Sequence, residues 1–131
     1  MSDYYTQAAC LNNLALVYID EGKLHTAIHS YLQGVKIFDT HFKEEKRLKA
    51  LMLANVAKAC ETLEKYEEAL KYMERAFDIA NRHNYRSITS IFSDDYGQIL
   101  LKLDRFEESA AIIDKGIQIN EEIGDLSLIH I

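Results

Sequence analysis

The sequence predicts an all-α protein built from antiparallel pairs of helices, and three observations support that fold class. Proline is absent and glycine occurs five times in 131 residues, so the residues that most often interrupt helices are scarce. Apolar residues recur three and four positions apart, which is the spacing of an amphipathic helix. The same pattern of residue sizes returns along the chain, as at Ala27, Ala69 and Ser109, which are 42 and 40 positions apart.

The first helix pair is predicted over residues 7–42. Apolar residues keep helical spacing over 11–18 and again over 24–38. Gly22 separates the two runs, and glycine reaches the left-handed conformation that ends a helix without steric cost. Because a connection this short reverses the chain, the two helices are expected to be antiparallel.

Two further pairs are predicted over residues 47–83 and 87–123. Their internal turns are placed at 64–65 and 104–105, where no glycine is present, and a turn at 123–125 is expected to close the third pair. An acidic pair follows each internal turn. These residues are interpreted as helix starts favoured by the macrodipole and not as catalytic carboxylates; they are Glu67, Glu68, Glu107 and Glu108.

Large and small residues alternate between the aligned positions of the three pairs. Where two helices cross closely only a small side chain fits, and a bulky residue one turn away fills the space beside the crossing. This explains mid-helix glycines, which otherwise cost about 1 kcal/mol relative to alanine, and replacing Gly34 with leucine is expected to loosen the array. The aligned columns are Leu14, Val56 and Tyr96; Ala15, Ala57 and Gly97; Tyr31, Met73 and Ile113; and Gly34, Ala76 and Gly116.

Two segments carry a more specific pattern. They are Asn13-Leu14-Ala15-Leu16-Val17-Tyr18, followed by Gly22, Ala27, Tyr31 and Gly34, and Lys65-Tyr66-Glu67-Glu68-Ala69-Leu70, followed by Ala76. Both resemble the paired-helix pattern of the tetratricopeptide repeat family. The resemblance implies a right-handed superhelical stack of antiparallel helix pairs, an α-solenoid of about three repeats plus the start of a fourth, with the repeat domain over residues 1–125.

The repeat period also has a parallel in that family. The ordinary tetratricopeptide repeat has about 34 residues, whereas the spacing here is 42 and 40. It resembles the long-period variety found in kinesin light chains, in the animal Leu-Gly-Asn repeat adaptors and in bacterial regulators and sensor proteins.

Residues 126–131 have two interpretations. Their sequence matches an in-frame translation of a transposon end that serves as a sequencing adapter, which predicts a truncated gene and a larger natural protein. Alternatively they begin a fourth repeat, because Leu128 and Ile131 fall forty positions after Ile88 and Ile91. Either interpretation leaves the array without a polar capping helix, and we expect self-association through the uncapped ends.

The composition restricts the class of partner. The formal net charge is −6, so this segment is expected to repel nucleic acid. No long apolar stretch predicts a membrane span and no signal peptide is recognised, so a cytoplasmic location is expected. Cys10 and Cys60 are interpreted as reduced, buried thiols without a catalytic role.

The resemblance also implies where a partner binds. In the family, the first helices of successive pairs line a concave groove that holds peptides. Asparagine suits such a groove because its amide both donates and accepts hydrogen bonds; the alternative is that these polar residues are only solvated. The predicted groove residues are Asn12, Asn13, Leu16, Asn55, Lys58, Asp94, Asp95 and Gln98.

The sequence favours one function and leaves a second open. Asp94 and Gln98 replace the basic residues that some family members use to bind a terminal carboxylate, so a neutral or mixed peptide, a partner helix or another part of the same protein is expected. The favoured function is a scaffold that binds proteins or peptides. The alternative is a sensory segment of a bacterial histidine kinase or transcription regulator.

No enzymatic activity, cofactor or metal site is predicted. His25 and His29 lie four positions apart, but the sequence places no third ligand beside them, and an exposed helix face is the preferred interpretation. The sequence also has no glycine-rich phosphate loop and no arrangement of catalytic residues.

Overall fold

The computed structural model describes residues 3–129, with side chains described as far as residue 124, and all the regular structure in that range is helical. The prediction of an all-α fold is therefore confirmed. The helices are α1 (Tyr4–Asp20), α2 (Leu24–His41), α3 (Arg47–Thr62), α4 (Tyr66–Arg82), α5 (Arg86–Lys102) and α6 (Phe106–Ile129).

The six helices form three hairpins that stack in chain order. Helix α1 packs mainly on α2, α3 on α4 and α5 on α6, while α2 contacts α3 and α4 contacts α5 across the junctions between hairpins. Helices α3 and α5 also approach each other, so the first helices of successive hairpins lie on the same side of the stack.

Equivalent residues of the three hairpins occupy matching places. Ala27, Ala69 and Ser109 are each the fourth residue of the second helix of a hairpin, and all three are buried. Ser109 satisfies its hydroxyl at this crossing by donating a hydrogen bond to the carbonyl oxygen of Gly97, at 2.8 Å. A serine therefore takes the place of alanine without leaving a buried polar atom unpaired.

Four of the five connections are the same three-residue turn. The central residues Gly22, Glu64, Asn84 and Asp104 have φ values of 78°, 60°, 56° and 59°. In each turn the next N–H reaches back five residues, as from Lys23 to the carbonyl oxygen of Tyr18 at 2.8 Å. This is the hydrogen bonding of a Schellman cap. The turns predicted at 64–65 and 104–105 therefore form without glycine.

The connection between α2 and α3 is different. Residues 42–46 contain no helical turn: Phe42 and Lys46 are extended, and residues 43–44 form a bend between them. Lys49 in α3 fastens this region, because its ammonium group lies 2.6 Å from Asp39 of α2 and 2.8 Å from Glu45 of the connection. The Tyr85 hydroxyl also donates to the carbonyl oxygen of Glu45, at 3.3 Å.

Two sequence predictions are wrong. Helix α6 passes through residues 123–125, where a turn was expected, because a single glycine costs a helix only about 1 kcal/mol and Gly124 here adopts no left-handed conformation. Cys10 was expected to be buried and is exposed, since no hairpin among the described residues covers that side of α1. Ile131 and the side chain of Leu128, on which the fourth-repeat interpretation depends, lie outside what the structure describes.

Candidate functional site

The predicted groove residues lie on the three first helices. These helices occupy the same side of the stack, and we call the surface that they form there the groove face. Helix α1 carries Asn12, Asn13 and Leu16, helix α3 carries Asn55 and Lys58, and helix α5 carries Asp94, Asp95 and Gln98.

A pocket of about 290 Å³ opens on the groove face between α1 and α3. It brings together Leu16, Asn55 and Lys58 from the predicted set. Apolar side chains form its walls, and amide, ammonium and hydroxyl groups lie among the lining residues. The remaining lining residues are Ile19, Leu24, Tyr31, Ala59 and Thr62.

Tyr31, in the second helix of the first hairpin, also lines this pocket. Its side chain is buried, and its hydroxyl shares a hydrogen bond with the side chain of Asn55. Burial raises the pKa of Tyr31, and the hydrogen bond to Asn55 opposes that rise. The hydroxyl therefore stays protonated at neutral pH, beside the Asn55 side chain at the pocket.

Carboxylates follow the pocket along the groove face. Burial raises the pKa of Asp95, with Lys58 acting against the rise and Asp94 adding to it. Burial also raises the pKa of Glu61, and the charge of Asp95 across from it contributes in the same direction. Glu61 of α3 and Asp95 of α5 thus repel each other where the second and third hairpins meet.

The other predicted groove residues lie in different surroundings. Asn13 and Gln98 are exposed, whereas Asn12 is half-buried and its Oδ1 atom has no hydrogen-bond partner among the described residues. Asp94 lines a separate cavity between α5 and α6. The structure therefore gathers part of the predicted set at one pocket and distributes the rest along α1 and α5.

Several pocket residues were not predicted from the sequence. Tyr31 and Leu24 were assigned to core columns, and Ile19, Ala59 and Thr62 were not singled out. A helical-wheel pairing of Leu16 with Ile19 offers a signal for the apolar wall. The approach of Tyr31 to Asn55 has no such local signal, because it depends on how one hairpin packs on the next.

The described residues offer little for metal or thiol chemistry. His25 and His29 are exposed, and no group of three or more metal-binding side chains occurs in the described part of the chain. Burial raises the pKa of the Cys60 thiol, with a smaller contribution from Glu68 in the same direction, which disfavours the reactive thiolate. No helix within residues 3–129 is long and apolar enough to cross a membrane.

Comparison with protein families agrees with this architecture. A model described as tetratricopeptide repeat matches residues 6–82, and a second model with the same description matches residues 95–123. The chain belongs to the tetratricopeptide repeat family. The first match covers more than half of this tetratricopeptide repeat chain. It includes nearly all of the first two hairpins and every residue that lines the pocket.

Solved structures share the fold. BtubC from P. vanneervenii has a TM-score of 0.82 at 20% identity, over 89% of this chain and 48% of its own. PlcR from Bacillus thuringiensis, in complex with the peptide PapR7 and DNA, has a TM-score of 0.76 at 22% identity, over 98% of this chain and 47% of its own. The second tetratricopeptide repeat domain of Spaghetti (RPAP3), bound to an HSP90 peptide, has a TM-score of 0.71 at 23% identity, over 88% of this chain and 94% of its own.

These likenesses concern the fold. The tetratricopeptide repeat chain spans less than half the length of the BtubC and PlcR chains that it matches. No curated protein matches the chain significantly.

Proposed function

We propose that the chain is a scaffold that binds a peptide or an extended segment of another protein along the groove face. The observation that carries this proposal is the pocket between α1 and α3, where an apolar wall meets oriented polar groups. A surface that only needed to be soluble has no reason to arrange Leu16, Asn55 and Tyr31 around one opening.

The size of the pocket indicates what enters it. Its volume of about 290 Å³ is at the lower limit for sites that enclose a whole small molecule. It suits a single apolar side chain of a longer ligand. The rest of that ligand would then lie along α1, α3 and α5, outside the pocket.

The polar groups beside the pocket suit a peptide backbone. The Asn55 amide both donates and accepts hydrogen bonds, and the Thr62 hydroxyl, which donates to the carbonyl oxygen of Lys58 at 3.0 Å, can still accept one. Lys58 forms no ion pair among the described residues and lies beside the pocket opening, where it is available to a ligand carbonyl or carboxylate. Burial raises the pKa values of Asp95 and Glu61, which lie further along the groove face. Such shifts are common at binding sites, because a buried charge there is unfavourable for the free protein.

Two of the similar structures support a peptide as the ligand. The RPAP3 domain is bound to the HSP90 peptide SRMEEVD, and PlcR is in complex with the peptide PapR7. The proposal assigns no reaction to the chain, since the groove face presents recognition groups and no nucleophile paired with a base.

A pair of matched substitutions on α1 tests the proposal. Leu16 lines the pocket, whereas Leu14 lies two residues earlier on a different side of the helix and is also exposed. Peptides selected from a phage-displayed random library against the wild-type chain are expected to lose at least about tenfold in affinity for Leu16→Glu, because a charge replaces an apolar wall. Leu14→Glu is expected to bind them normally.

Calorimetric titration and circular dichroism provide the readouts. Both variants should keep the helical content and melt cooperatively, which separates loss of binding from loss of fold. Equal binding by wild type and Leu16→Glu, or equal loss in the two variants, would remove the pocket from the proposal.

A second candidate function is the sensory segment of a bacterial signalling protein. The observation in its favour is the likeness to PlcR, which extends over 98% of this chain and belongs to a protein in complex with both a peptide and DNA. On this proposal the groove face binds a signal peptide or a neighbouring domain. The complete sequence of the gene tests it, and a gene that encodes no DNA-binding or kinase domain would count against it.

A further inference from the structure

Helices α1 and α6 each present a face whose equivalents are buried inside the array. The leading face consists of Cys10, Leu14 and Val17 on α1. The trailing face consists of the exposed Ile117 and Asn120 on α6, beside the half-buried Ile113 and the buried Gly116. At the two internal junctions α3 packs on α2 and α5 packs on α4. The contacts of Met52 with Gly34 and of Tyr96 with Phe77 join aligned leading and trailing residues there.

The leading face is apolar and open. Leu14 is 43% exposed, whereas Val56 at the aligned position of α3 is 0% exposed. Cys10 is exposed, whereas the aligned Met52 and Phe92 are buried. The same positions are therefore covered in α3 and α5 and uncovered in α1, within the described part of the chain.

The trailing face shows the complementary change. Ile117 is 50% exposed, whereas the aligned Val35 and Phe77 are 3% and 9% exposed. A cavity of about 250 Å³ lies beside Gly116, lined also by Ser90, Ser93, Asp94, Ile113, Ile117 and Asn120. At the first junction the residue aligned with Gly116 is Gly34, and the terminal methyl group of Met52 fills the space beside it.

The internal junctions show which kind of surface covers each face. Across the second junction the rings of Phe77 and Tyr96 meet edge to face, with centroids 5.3 Å apart. Ile117 is aligned with Phe77 and Leu14 is aligned with Tyr96. The leading and trailing faces of one molecule are therefore aligned with the two surfaces that meet between its own hairpins.

We propose that α1 of one copy packs on α6 of a second copy, in the arrangement that α3 takes on α2. Leu14 of one copy then meets Ile117 of the other, and Cys10 lies over the cavity beside Gly116. Because the two faces differ, the contact is head to tail, and it continues into longer chains as concentration rises. The net charge of −6 opposes such contacts, so added salt strengthens them.

Sedimentation velocity over a concentration series, in reducing buffer at physiological salt, tests the proposal. The wild-type mass is expected to rise above 15.1 kDa with concentration, while Leu14→Glu and Ile117→Glu each remain monomeric when alone. Mixed in equal amounts, the two variants are expected to form a one-to-one complex that grows no further, because each retains the intact face that the other lacks. Leu16→Glu, which removes the pocket wall, should associate like the wild type.

A gain-of-function variant sharpens the test. Cys10→Met supplies the side chain that fills the space beside Gly34 at the first junction, so the dissociation constant is expected to fall about tenfold. A wild-type chain that stays monomeric at every concentration, together with a monomeric Cys10→Met, would overturn the proposal. So would a mixture of Leu14→Glu and Ile117→Glu that remains monomeric while the wild type associates, since that result requires a symmetric interface.

Discussion

The two junctions between hairpins have the same helix arrangement but different chemistry. At the first junction the chain crosses through the non-helical residues 42–46, and the buried Lys49 binds Asp39 and Glu45. At the second junction the chain crosses through a three-residue turn, and Thr89, which is aligned with Lys49, donates a hydrogen bond to the carbonyl oxygen of Tyr85 at 2.9 Å.

The difference shows how the packing of two hairpins is held in place when the connection between them is not a Schellman turn. A Schellman turn sets the angle between α4 and α5 by backbone hydrogen bonds alone, so the side chains that face each other there can be neutral. The longer connection sets no such angle, and the charged contacts of Lys49 supply the missing restraint.

Removing Lys49 should weaken the first junction most. Lys49→Ala is expected to lower the free energy of unfolding by about 2 kcal/mol, because two charge-assisted hydrogen bonds are lost while both carboxylates remain hydrated. Thr89→Ala at the second junction should cost about 1 kcal/mol. Urea unfolding of both variants measures the difference, and equal losses would contradict the contrast.

The effect of Lys49 should also depend on pH. Burial lowers the pKa of Lys49, but the bonds to Asp39 and Glu45 outweigh burial and raise it above 10.5. A raised pKa means that the stabilisation is complete below pH 10.5 and is lost as the pH rises through the folded-state value. The stability difference between wild type and Lys49→Met should therefore persist from pH 7 to 10 and shrink above that.

The aligned glycines Gly34 and Gly116 should respond differently to alanine. A Cβ atom at Gly116 would lie 2.6 Å from the Cβ atom of Ser93, so α5 and α6 must separate. At Gly34 the nearest obstacle is the terminal methyl group of Met52, which can rotate away. Thermal melting should show a loss of about 1 to 2 kcal/mol for Gly116→Ala and little change for Gly34→Ala. The loosening expected for Gly34→Leu stays a prediction.

The non-glycine turns should be improved by glycine. Glu64, Asn84 and Asp104 have left-handed backbones, which disfavour most side chains. Glu64→Gly is expected to stabilise the chain by about 0.5 to 1 kcal/mol. Asp104→Gly and Asn84→Gly should gain less, because aspartate and asparagine tolerate the left-handed conformation better than glutamate. Chemical unfolding that ranks either of them above Glu64→Gly would contradict this account.

The smallest expected effect concerns the carboxylates at the second junction. Because the pKa of Asp95 is raised by burial, its ionised form destabilises the fold, and the penalty is absent below the ordinary value of 3.8. Asp95→Asn should therefore raise the free energy of unfolding at pH 7, by less than about 1 kcal/mol given its partial exposure. The gain should fade as the pH is lowered towards 3.8, and a gain that is constant with pH would exclude this cause.

The sequence predicts the repeating part of this fold well and its exceptions poorly. Helical periodicity and the small-residue columns locate the hairpins, because each column faces the same kind of neighbour in every repeat. The same reasoning misplaces Cys10, since periodicity assigns a terminal repeat the environment of an internal one. It also misplaces the turn at 123–125, because one glycine does not stop a helix whose neighbours favour it.

The site is only partly predictable for a related reason. Leu16, Asn55 and Lys58 are found by aligning first helices, and the structure places all three at the pocket. Tyr31 and Glu61 are not found that way. Their roles arise from contacts between different hairpins, and those contacts depend on the packing distance between hairpins, which a column alignment does not contain.

The non-helical residues 42–46 have a practical consequence for handling the protein. They offer a protease a stretch of backbone outside any helix, whereas the other four connections are closed by their own hydrogen bonds. Limited digestion should therefore first yield two fragments, one hairpin and a pair of hairpins. Within that stretch the exposed bend at residues 43–44 is the place to insert a tag or fluorophore, since Glu45 is held by Lys49 and Tyr85.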